Sequence, residues 1–199
     1  MKILLLGATG TIGAAVAAHL SDHDVVAVGK TRGAYQADLD NYDSLEALFQ
    51  KVGKVDAVIS TAGDIVFGPL DTLTEADFAH VVTNKLLGNM NLYRIARPYI
   101  HEGGSFTVTT GVVSREPMPG AALVAAVNGG LESFAMTAAT ETGRALRVNA
   151  VSPRFVNETM EAMGMDSTSG ISAADTAKAY RHAVLSDVSG QILDVRDFL

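Results

Sequence analysis

Residues 3–13 have the sequence ILLLGATGTIG, and this stretch decides the fold. Its first four residues are apolar, as expected for a short strand that is buried on both faces. Glycines follow at positions 7, 10 and 13, and an alanine-rich helix is predicted over Thr11–Leu20. In such a strand–turn–helix unit, the free N–H groups of the first helical turn lie beside the end of the strand, where they can bind an anion. The opening of the chain therefore predicts an α/β protein with an anion site at its first turn.

The three glycines fit the diphosphate of a dinucleotide. Gly7 permits a tight turn, Gly10 lets a diphosphate approach the backbone, and Gly13 lets the helix pack closely on the sheet. Their spacing is G-x-x-G-x-x-G, whereas most dinucleotide dehydrogenases have G-x-G-x-x-G. The alternative is a glycine-rich turn without a ligand, but three glycines directly after a strand favour a bound cofactor. The predicted cofactor contacts in this loop are Gly7, Thr9, Gly10, Thr11, Ile12 and Gly13.

Strands and helices alternate along the rest of the chain. The predicted strands cover residues 3–6, 25–28, 55–60, 106–109, 146–151 and 190–195, and the predicted helices cover 11–20, 42–52, about 74–98, about 120–142 and 173–185. This alternation indicates a single domain, residues 1–199, with a doubly wound parallel sheet and helices on both faces. We expect about six strands in the order 2-1-3-4-5-6. Residues 34–38 follow the second strand too closely for a parallel crossover, so this segment is expected along the carboxyl edge of the sheet.

Composition argues against several classes of function. The net charge is −7 and there is no basic run, which disfavours nucleic acids and anionic membranes as partners. The chain has no cysteine, which excludes disulfides and thiolate catalysis, and its five histidines do not suggest a metal site. The first apolar run ends at Leu6, and no segment approaches the apolar length of a membrane span. We therefore expect a cytoplasmic protein without a metal ion.

The turn after the second strand bears on the choice of dinucleotide. NAD-binding folds usually place Asp or Glu there to accept a hydrogen bond from the ribose 2′-hydroxyl. This chain has Gly29-Lys30-Thr31-Arg32, with two cations and no acid. A 2′-phosphate adds negative charge that Lys30 and Arg32 could bind, although two solvated surface cations are the alternative. The turn predicts NADP(H) in preference to NAD(H), with Lys30, Thr31 and Arg32 at its adenosine end.

With these residues in view, the chain resembles a short-chain dehydrogenase/reductase over nearly its whole length. Ser60-Thr61-Ala62-Gly63 is similar to the N-N-A-G turn of that family, Asn84 to its helix asparagine, and Val151-Ser152-Pro153 to its P-G turn beside the nicotinamide. The resemblance implies a Rossmann-like fold and an oxidoreductase acting on a small carbonyl compound or alcohol. It also implies a homodimer or homotetramer through helices 74–98 and 120–142. The further cofactor contacts it implies are Asp38, Leu39, Thr61, Ala62, Gly63, Asn128, Pro153 and Val156.

The catalytic positions depart from the family. Its chemistry uses a serine, a proton-donating tyrosine, and a lysine four residues after the tyrosine. Alignment of residues 104–111 with the strand before the serine places Gly111, Val124 and Asn128 at these three positions, and residues 130–134 support the register. Asn128 can bond a ribose hydroxyl but cannot lower the pKa of a neighbour, and Val124 cannot transfer a proton. Because general acid–base catalysis contributes about 10²–10⁴-fold, turnover is expected to be impaired.

Three functions therefore remain open. The first is an NADP(H)-dependent oxidoreductase with a non-standard proton donor, for which the candidate catalytic residues are Asn84, Thr110 and Asn128. The second is a non-catalytic NADP(H)-binding sensor or scaffold. The third is a structural subunit in which the nucleotide is incidental, and the two cations at Lys30 and Arg32 disfavour it. Residues 155–171 are short for a substrate lid, and their methionines are expected to pack on the core.

Overall fold

The computed structural model describes every residue, Met1–Leu199, and its centre is one sheet of seven parallel strands. The strands are β1 Lys2–Leu6, β2 Asp24–Gly29, β3 Tyr35–Gln36, β4 Val55–Ser60, β5 Ile100–Thr109, β6 Leu146–Ser152 and β7 Ile192–Asp194. Their order across the sheet is β3-β2-β1-β4-β5-β6-β7. The predicted fold class is confirmed, and so is the order of the six strands that the sequence predicts, which are all except β3. The sheet has one strand more than predicted.

The helices cover both faces of this sheet. They are α1 Thr11–His19, α2 Tyr42–Val52, α3 Glu75–Val81, α4 Gly88–Ala96, α5 Ala122–Thr142, α6 Asn157–Ala162 and α7 Ala173–Leu185. On one face, a core of 26 buried residues joins α2, α4 and α5 to the sheet, and on the other a core of 16 buried residues joins α1 and α7. Successive residues of β1 alternate between the two cores, because neighbouring side chains of a strand point to opposite faces.

The prediction for residues 34–38 was wrong. Tyr35–Gln36 forms β3 and pairs with β2 in parallel, with Val28 opposite Tyr35 and Gly29 opposite Gln36. A parallel connection must bring the chain back along the length of the next strand before that strand can begin. For a full strand this needs a long crossover, but for a strand of two residues the chain has to travel back only about 7 Å. The loop between β2 and β3 makes this return with Gly33 at φ +104°, a left-handed conformation that favours glycine.

A π-helical segment, Val82–Leu87, separates α3 from α4. The helical region begins after the N-cap Thr74, whose side chain and backbone form a capping box with Asp77. The π segment packs against α5, since a methyl group on Gly130 would lie 3.2 Å from Leu86 Cδ1. π-Helical turns are rare and occur often at functional sites, which makes the residues on this segment candidates for the site.

The helix α5 is long and apolar enough to span a membrane, although no such segment is expected from the sequence. Its mean hydropathy over the best window is 1.2, and half of that window is buried inside the fold. Leu131 and Ala135 belong to the larger apolar core. A buried core helix is expected to have this composition, because it contacts apolar side chains around much of its circumference.

Substitution of Gly13 by Ala should destabilise the fold. A methyl group there would lie 2.0 Å from the Gly7 carbonyl oxygen, so the start of α1 would have to move away from β1. Overpacking of this kind typically costs about 1–3 kcal/mol. Gly129→Ala is the matched control, because a methyl group there meets no atom within 4 Å and Ala is the better helix former. Urea unfolding should show a loss for Gly13→Ala and a small gain for Gly129→Ala, and equal stabilities would contradict the contact.

Candidate functional site

Nine of the predicted cofactor residues meet at the carboxyl ends of β1 and β4, whereas Thr31, Arg32, Asn128, Pro153 and Val156 do not line the cavity there. The chain continues from β1 to β2 on one side and β4 lies on the other, which makes this edge the switch point where doubly wound sheets bind ligands. A cavity of about 250 Å³ lies there. The predicted residues that line it are Gly7, Thr9, Gly10, Lys30, Asp38, Leu39, Thr61, Ala62, Gly63 and Asn84. Thr11, Ile12 and Gly13 form the first turn of α1 beside it.

The glycine loop holds α1 against the sheet and leaves its N-terminus open. Gly7 has φ +84°, and a methyl group on it would lie 2.7 Å from Thr61 Oγ1. Gly10 is the N-cap of α1 and no side chain caps this end of the helix. The first N–H groups of an α-helix have no partner within the helix, so they are available to an anion in the cavity. The residues present therefore fit a diphosphate.

The end of β2 cannot carry the carboxylate typical of NAD sites. A methyl group on Gly29 would lie 2.2 Å from the Arg32 carbonyl oxygen, because the following loop folds back over this position. Lys30 Nζ lies 3.0 Å from Asp38 Oδ2 and 4.0 Å from Asp40 Oδ2, and the hydrogen bond to Asp38 raises the pKa of Lys30 above its usual value. Arg32 is exposed and forms no ion pair. The two predicted cations thus differ, since only Arg32 is free of a carboxylate partner.

Asn84 lines the cavity but both ends of its amide are bonded within the chain. Its Oδ1 accepts the N–H of Asp64 at 2.7 Å, and its Nδ2 donates to Asp40 Oδ2 at 2.9 Å. The side chain therefore ties the loop after β3 to the turn after β4. Each polar atom of Asn84 thus has a partner within the chain, which favours a structural role for this residue.

Thr110 is also engaged, in a network that the sequence analysis did not foresee. Its hydroxyl donates to Glu132 Oε1 at 3.1 Å, and the same oxygen accepts from Ser114 at 2.9 Å and from Arg115. Glu132 is buried on α5, and Arg115 extends the network to Ser152 Oγ at 2.8 Å. The hydrogen bonds join the ends of β5 and β6 to α5. No sequence signal marks Glu132, because an acidic residue in a helix is normally a surface residue.

Asn128 lies where the resemblance places the catalytic lysine. A methyl group on Gly111 would lie 3.0 Å from Asn128 Nδ2, so the positions assigned to the family's serine and lysine are adjacent. Asn128 is 2% exposed, and its Oδ1 is buried without a hydrogen-bond donor. An unpaired buried amide oxygen is costly, typically by about 1–3 kcal/mol. This oxygen can accept a hydrogen bond from a donor outside the chain.

Lys85 is the residue of this region that the sequence analysis missed. It follows Asn84 on the π segment, is 6% exposed, and donates from Nζ to the Thr109 carbonyl oxygen at 3.2 Å. Its stem runs beneath Gly63, where a methyl group would lie 3.0 Å from Lys85 Cγ. Burial lowers the pKa of Lys85 to about 8, against a smaller opposing effect of Asp64. Lysine in a helix is ordinarily solvated, so only the tertiary structure shows that this one is inside.

The loops after β5 and β6 close the other end of the site. The Pro153 carbonyl accepts the N–H of Val112 at 3.1 Å, which joins the two loops, and Val156 is buried at the start of α6. Arg154 is paired with Glu116, which also binds Arg196 at 2.8 Å. The rings of Phe67 and Phe155 lie 5.8 Å apart at this end.

Of the methionines in residues 155–171, Met160 is buried, whereas Met163 and Met165 are exposed. The expectation that all three pack on the core is therefore wrong for the latter two. Tyr93 and Tyr99 do not offer a proton donor at this edge. Tyr93 stacks edge-on against Phe106 in the core, and Tyr99 packs on Phe49.

Comparison with known proteins places this geometry in a family. A family model described as enoyl-(acyl carrier protein) reductase matches residues 7–191. Hydroxynaphthalene reductase arp2 of Aspergillus fumigatus is 31% identical over 167 residues, which is 78% of this chain and 61% of that protein. The 3-oxoacyl-[acyl-carrier-protein] reductase FabG of Thermotoga maritima is 32% identical over 119 residues, 58% of this chain and 48% of that protein. The chain thus spans about half to three fifths of the length of these relatives.

A solved structure covers the chain almost completely. The crystal structure of the protein lin1944 from Listeria innocua is 35% identical, covers 98% of this chain and 99% of that one, and superimposes with a TM-score of 0.93. A second structure, of a small-chain dehydrogenase, is 26% identical with a TM-score of 0.82, and the match covers 98% of this chain and 95% of that one. The fold, the glycine loop and the family match agree, and the chain belongs to the short-chain dehydrogenase/reductase superfamily.

Proposed function

We propose that this chain is an NADP(H)-dependent oxidoreductase that acts on a small carbonyl compound or alcohol. The observation that carries the proposal is the uncapped N-terminus of α1, which is held open over the cavity by backbone contacts that only glycine permits. A helix end of this kind stabilises the diphosphate of a dinucleotide. The names of the curated relatives describe reductases, which supports the reaction class.

The other ends of a dinucleotide also meet residues suited to them. The adenosine would lie near Asp38 and Leu39, which line the same cavity as the glycine loop. The nicotinamide ribose would lie toward Asn128, whose unpaired Oδ1 can accept a hydrogen bond from a ribose hydroxyl. The bound cofactor would supply or accept the hydride, while Phe67 and Phe155 offer an apolar rim to a small substrate.

The preference for NADP(H) is part of the proposal. Glycine at position 29 leaves no carboxylate to bond a free 2′-hydroxyl, and Lys30 and Arg32 follow it directly. Because Lys30 is paired with Asp38, the unpaired Arg32 is the stronger candidate for a 2′-phosphate.

Removal of both cations should abolish most of this preference. Lys30→Ala/Arg32→Ala should weaken NADPH binding by at least about tenfold, since charge-assisted hydrogen bonds contribute about 1.5–3 kcal/mol each, and should change NADH binding little. Arg32→Ala alone should cause the larger share of the loss. Calorimetric titration of each cofactor measures these affinities, with Lys178→Ala as the control because Lys178 is an exposed cation on α7. Equal affinity of the unmutated chain for NADPH and NADH would refute the preference.

The alternative is a non-catalytic NADP(H)-binding sensor or scaffold. Gly111, Val124 and Asn128 favour it, because none of them can donate a proton. Both functions require that Asn128 faces the cofactor, and they differ only in turnover.

Replacement of Asn128 by Leu should separate binding from folding. The substitution removes an unpaired buried oxygen, so the melting temperature should rise, whereas dinucleotide affinity should fall by about tenfold from the loss of one hydrogen bond. Asn84→Leu is the matched control, since both ends of that amide are bonded and its loss should lower the melting temperature. A lower melting temperature for Asn128→Leu with unchanged affinity would show that Asn128 serves the fold alone.

We also propose that the chain forms a homodimer or homotetramer through the helices of residues 74–98 and 120–142. Large apolar side chains on these helices remain exposed, among them Phe78 at 38%, Leu87 at 46% and Met136 at 41%. Burial of such side chains against a second copy would remove apolar surface from water.

A further inference from the structure

The environment of Lys85 leaves most of its hydrogen-bonding capacity unused. A lysine ammonium has three N–H donors, and the chain provides Lys85 with one acceptor, the Thr109 carbonyl oxygen at 3.2 Å. No carboxylate forms an ion pair with it. Lysine is almost never buried without a partner, because the desolvation of its charge is costly. A buried ammonium with unused donors, at the edge where the sheet binds ligands, indicates a group that can donate to a partner outside the chain.

Of the charged groups in this region, only Asp64 affects the pKa of Lys85, and no carboxylate pairs with it. Asp64, on the turn after β4, raises its pKa slightly but is itself paired with His80 of α3 at 3.3 Å. Asp40, on the loop after β3, is held by Asn84, and Glu132 on α5 is held by Arg115. Burial therefore remains the larger effect, and a pKa of about 8 gives Lys85 both protonation states near neutral pH.

Lys85 and Asn128 approach the end of β5 from two helices that pack together. Lys85 bonds the backbone of Thr109, and Asn128 lies against Gly111 two residues further along the chain. Lys85 Nζ lacks acceptors and Asn128 Oδ1 lacks a donor, yet the two groups form no hydrogen bond with each other. A hydroxyl group between them would satisfy both, because its oxygen can accept from Lys85 Nζ while its O–H donates to Asn128 Oδ1. This is the region in which the family places its proton donor and in which Val124 offers none.

We propose that Lys85 is the catalytic residue of this site and that its Nζ exchanges the proton with the oxygen of the substrate. The inference rests on the proposed function. In the reduction, a hydride from NADPH forms the new C–H bond while the Nζ–H bond breaks and its proton forms the new O–H bond. The carbonyl compound is reduced to an alcohol and NADPH is oxidised to NADP⁺. The neutral amine then regains a proton from water, and the oxidation follows the reverse path.

The first test is the titration of Lys85 itself. In protein labelled with ¹³C at lysine Cε, one of the six lysines should titrate near pH 8, and its signal should be absent from Lys85→Met. Saturating NADP⁺ should shift this signal, because the cofactor would lie against Nζ. Lys85→Met retains an unbranched stem beneath Gly63 and removes an uncompensated charge, so it should melt at a higher temperature at pH 7. If it does not fold, Lys85→Gln serves in its place.

The second test is the reduction of a panel of small aldehydes and ketones. Lys85→Met should lower kcat by about 10²–10⁴-fold, while its affinity for NADPH changes by less than about tenfold. Because the ammonium is the acid, kcat of the unmutated chain for reduction should fall as pH rises through about 8, and kcat for oxidation should rise. Lys178→Met, on the exposed face of α7, should leave both rates unchanged.

The outcomes separate the inference from the proposed function. If NADP⁺ binds but leaves the Lys85 signal unmoved, or if Lys85→Met reduces a substrate within about threefold of the unmutated rate, the role of Lys85 is wrong and the oxidoreductase assignment stands. If the unmutated chain binds NADPH and reduces nothing in the panel, the role of Lys85 is wrong and the sensor alternative is favoured. If no dinucleotide binds at millimolar concentration, the proposed function itself is wrong.

Discussion

The close contact between Gly13 and Gly7 is the constraint on which the rest of the site depends. The start of α1 lies so near the end of β1 that a single methyl group would meet the Gly7 carbonyl at 2.0 Å. Gly7 in turn lies against Thr61 at the end of β4, so one loop fixes the distance between two strands and a helix. The helix N-terminus is thereby aimed at the switch point of the sheet, where its free N–H groups favour a bound anion.

The polar residues of this edge fall into two groups according to whether the fold satisfies them. Asn84 and Thr110 have their hydrogen bonds within the chain, and Glu132 accepts three of them from its neighbours. Asn128 Oδ1 has no donor within the chain and Lys85 has a single acceptor, although both residues are more than nine-tenths buried. Unpaired polar groups reduce stability, and these two lie near the end of β5, where the proposed ligand would supply the missing partners.

The proposed role of Lys85 would place the reactive group of this superfamily scaffold on a different element. In the family, the lysine and the tyrosine are on the helix that corresponds to α5. In this chain α5 retains an amide at Asn128, and an ammonium comes instead from the π segment that packs against α5. The shared requirement is a polar group at the end of β5, and either helix can supply it because both border the same crevice.

Much of the fold was predictable because it depends on local pattern. Short apolar runs separated by amphipathic segments indicated all strands except β3, and the spacing of three glycines indicated the anion-binding loop before α1. The β3 strand was not predictable in this way, because its pairing depends on how a short loop folds back over Gly29. The ion pair of Lys30 was also beyond the sequence, because its partner Asp38 comes close only after that loop has formed.

The sequence by itself determined the superfamily scaffold and the glycine loop, and it predicted the loss of the usual catalytic side chains, since each of these is a matter of residue type at a known spacing. Only the tertiary structure decided which polar groups are paired. Asn84 is bonded at both ends and Lys85, its neighbour in sequence, is buried with one acceptor, although both lie on the same π segment. The physical reason is that hydrogen bonding and burial depend on residues far apart in the chain, and a π-helical turn changes which side chains of a helix face inward.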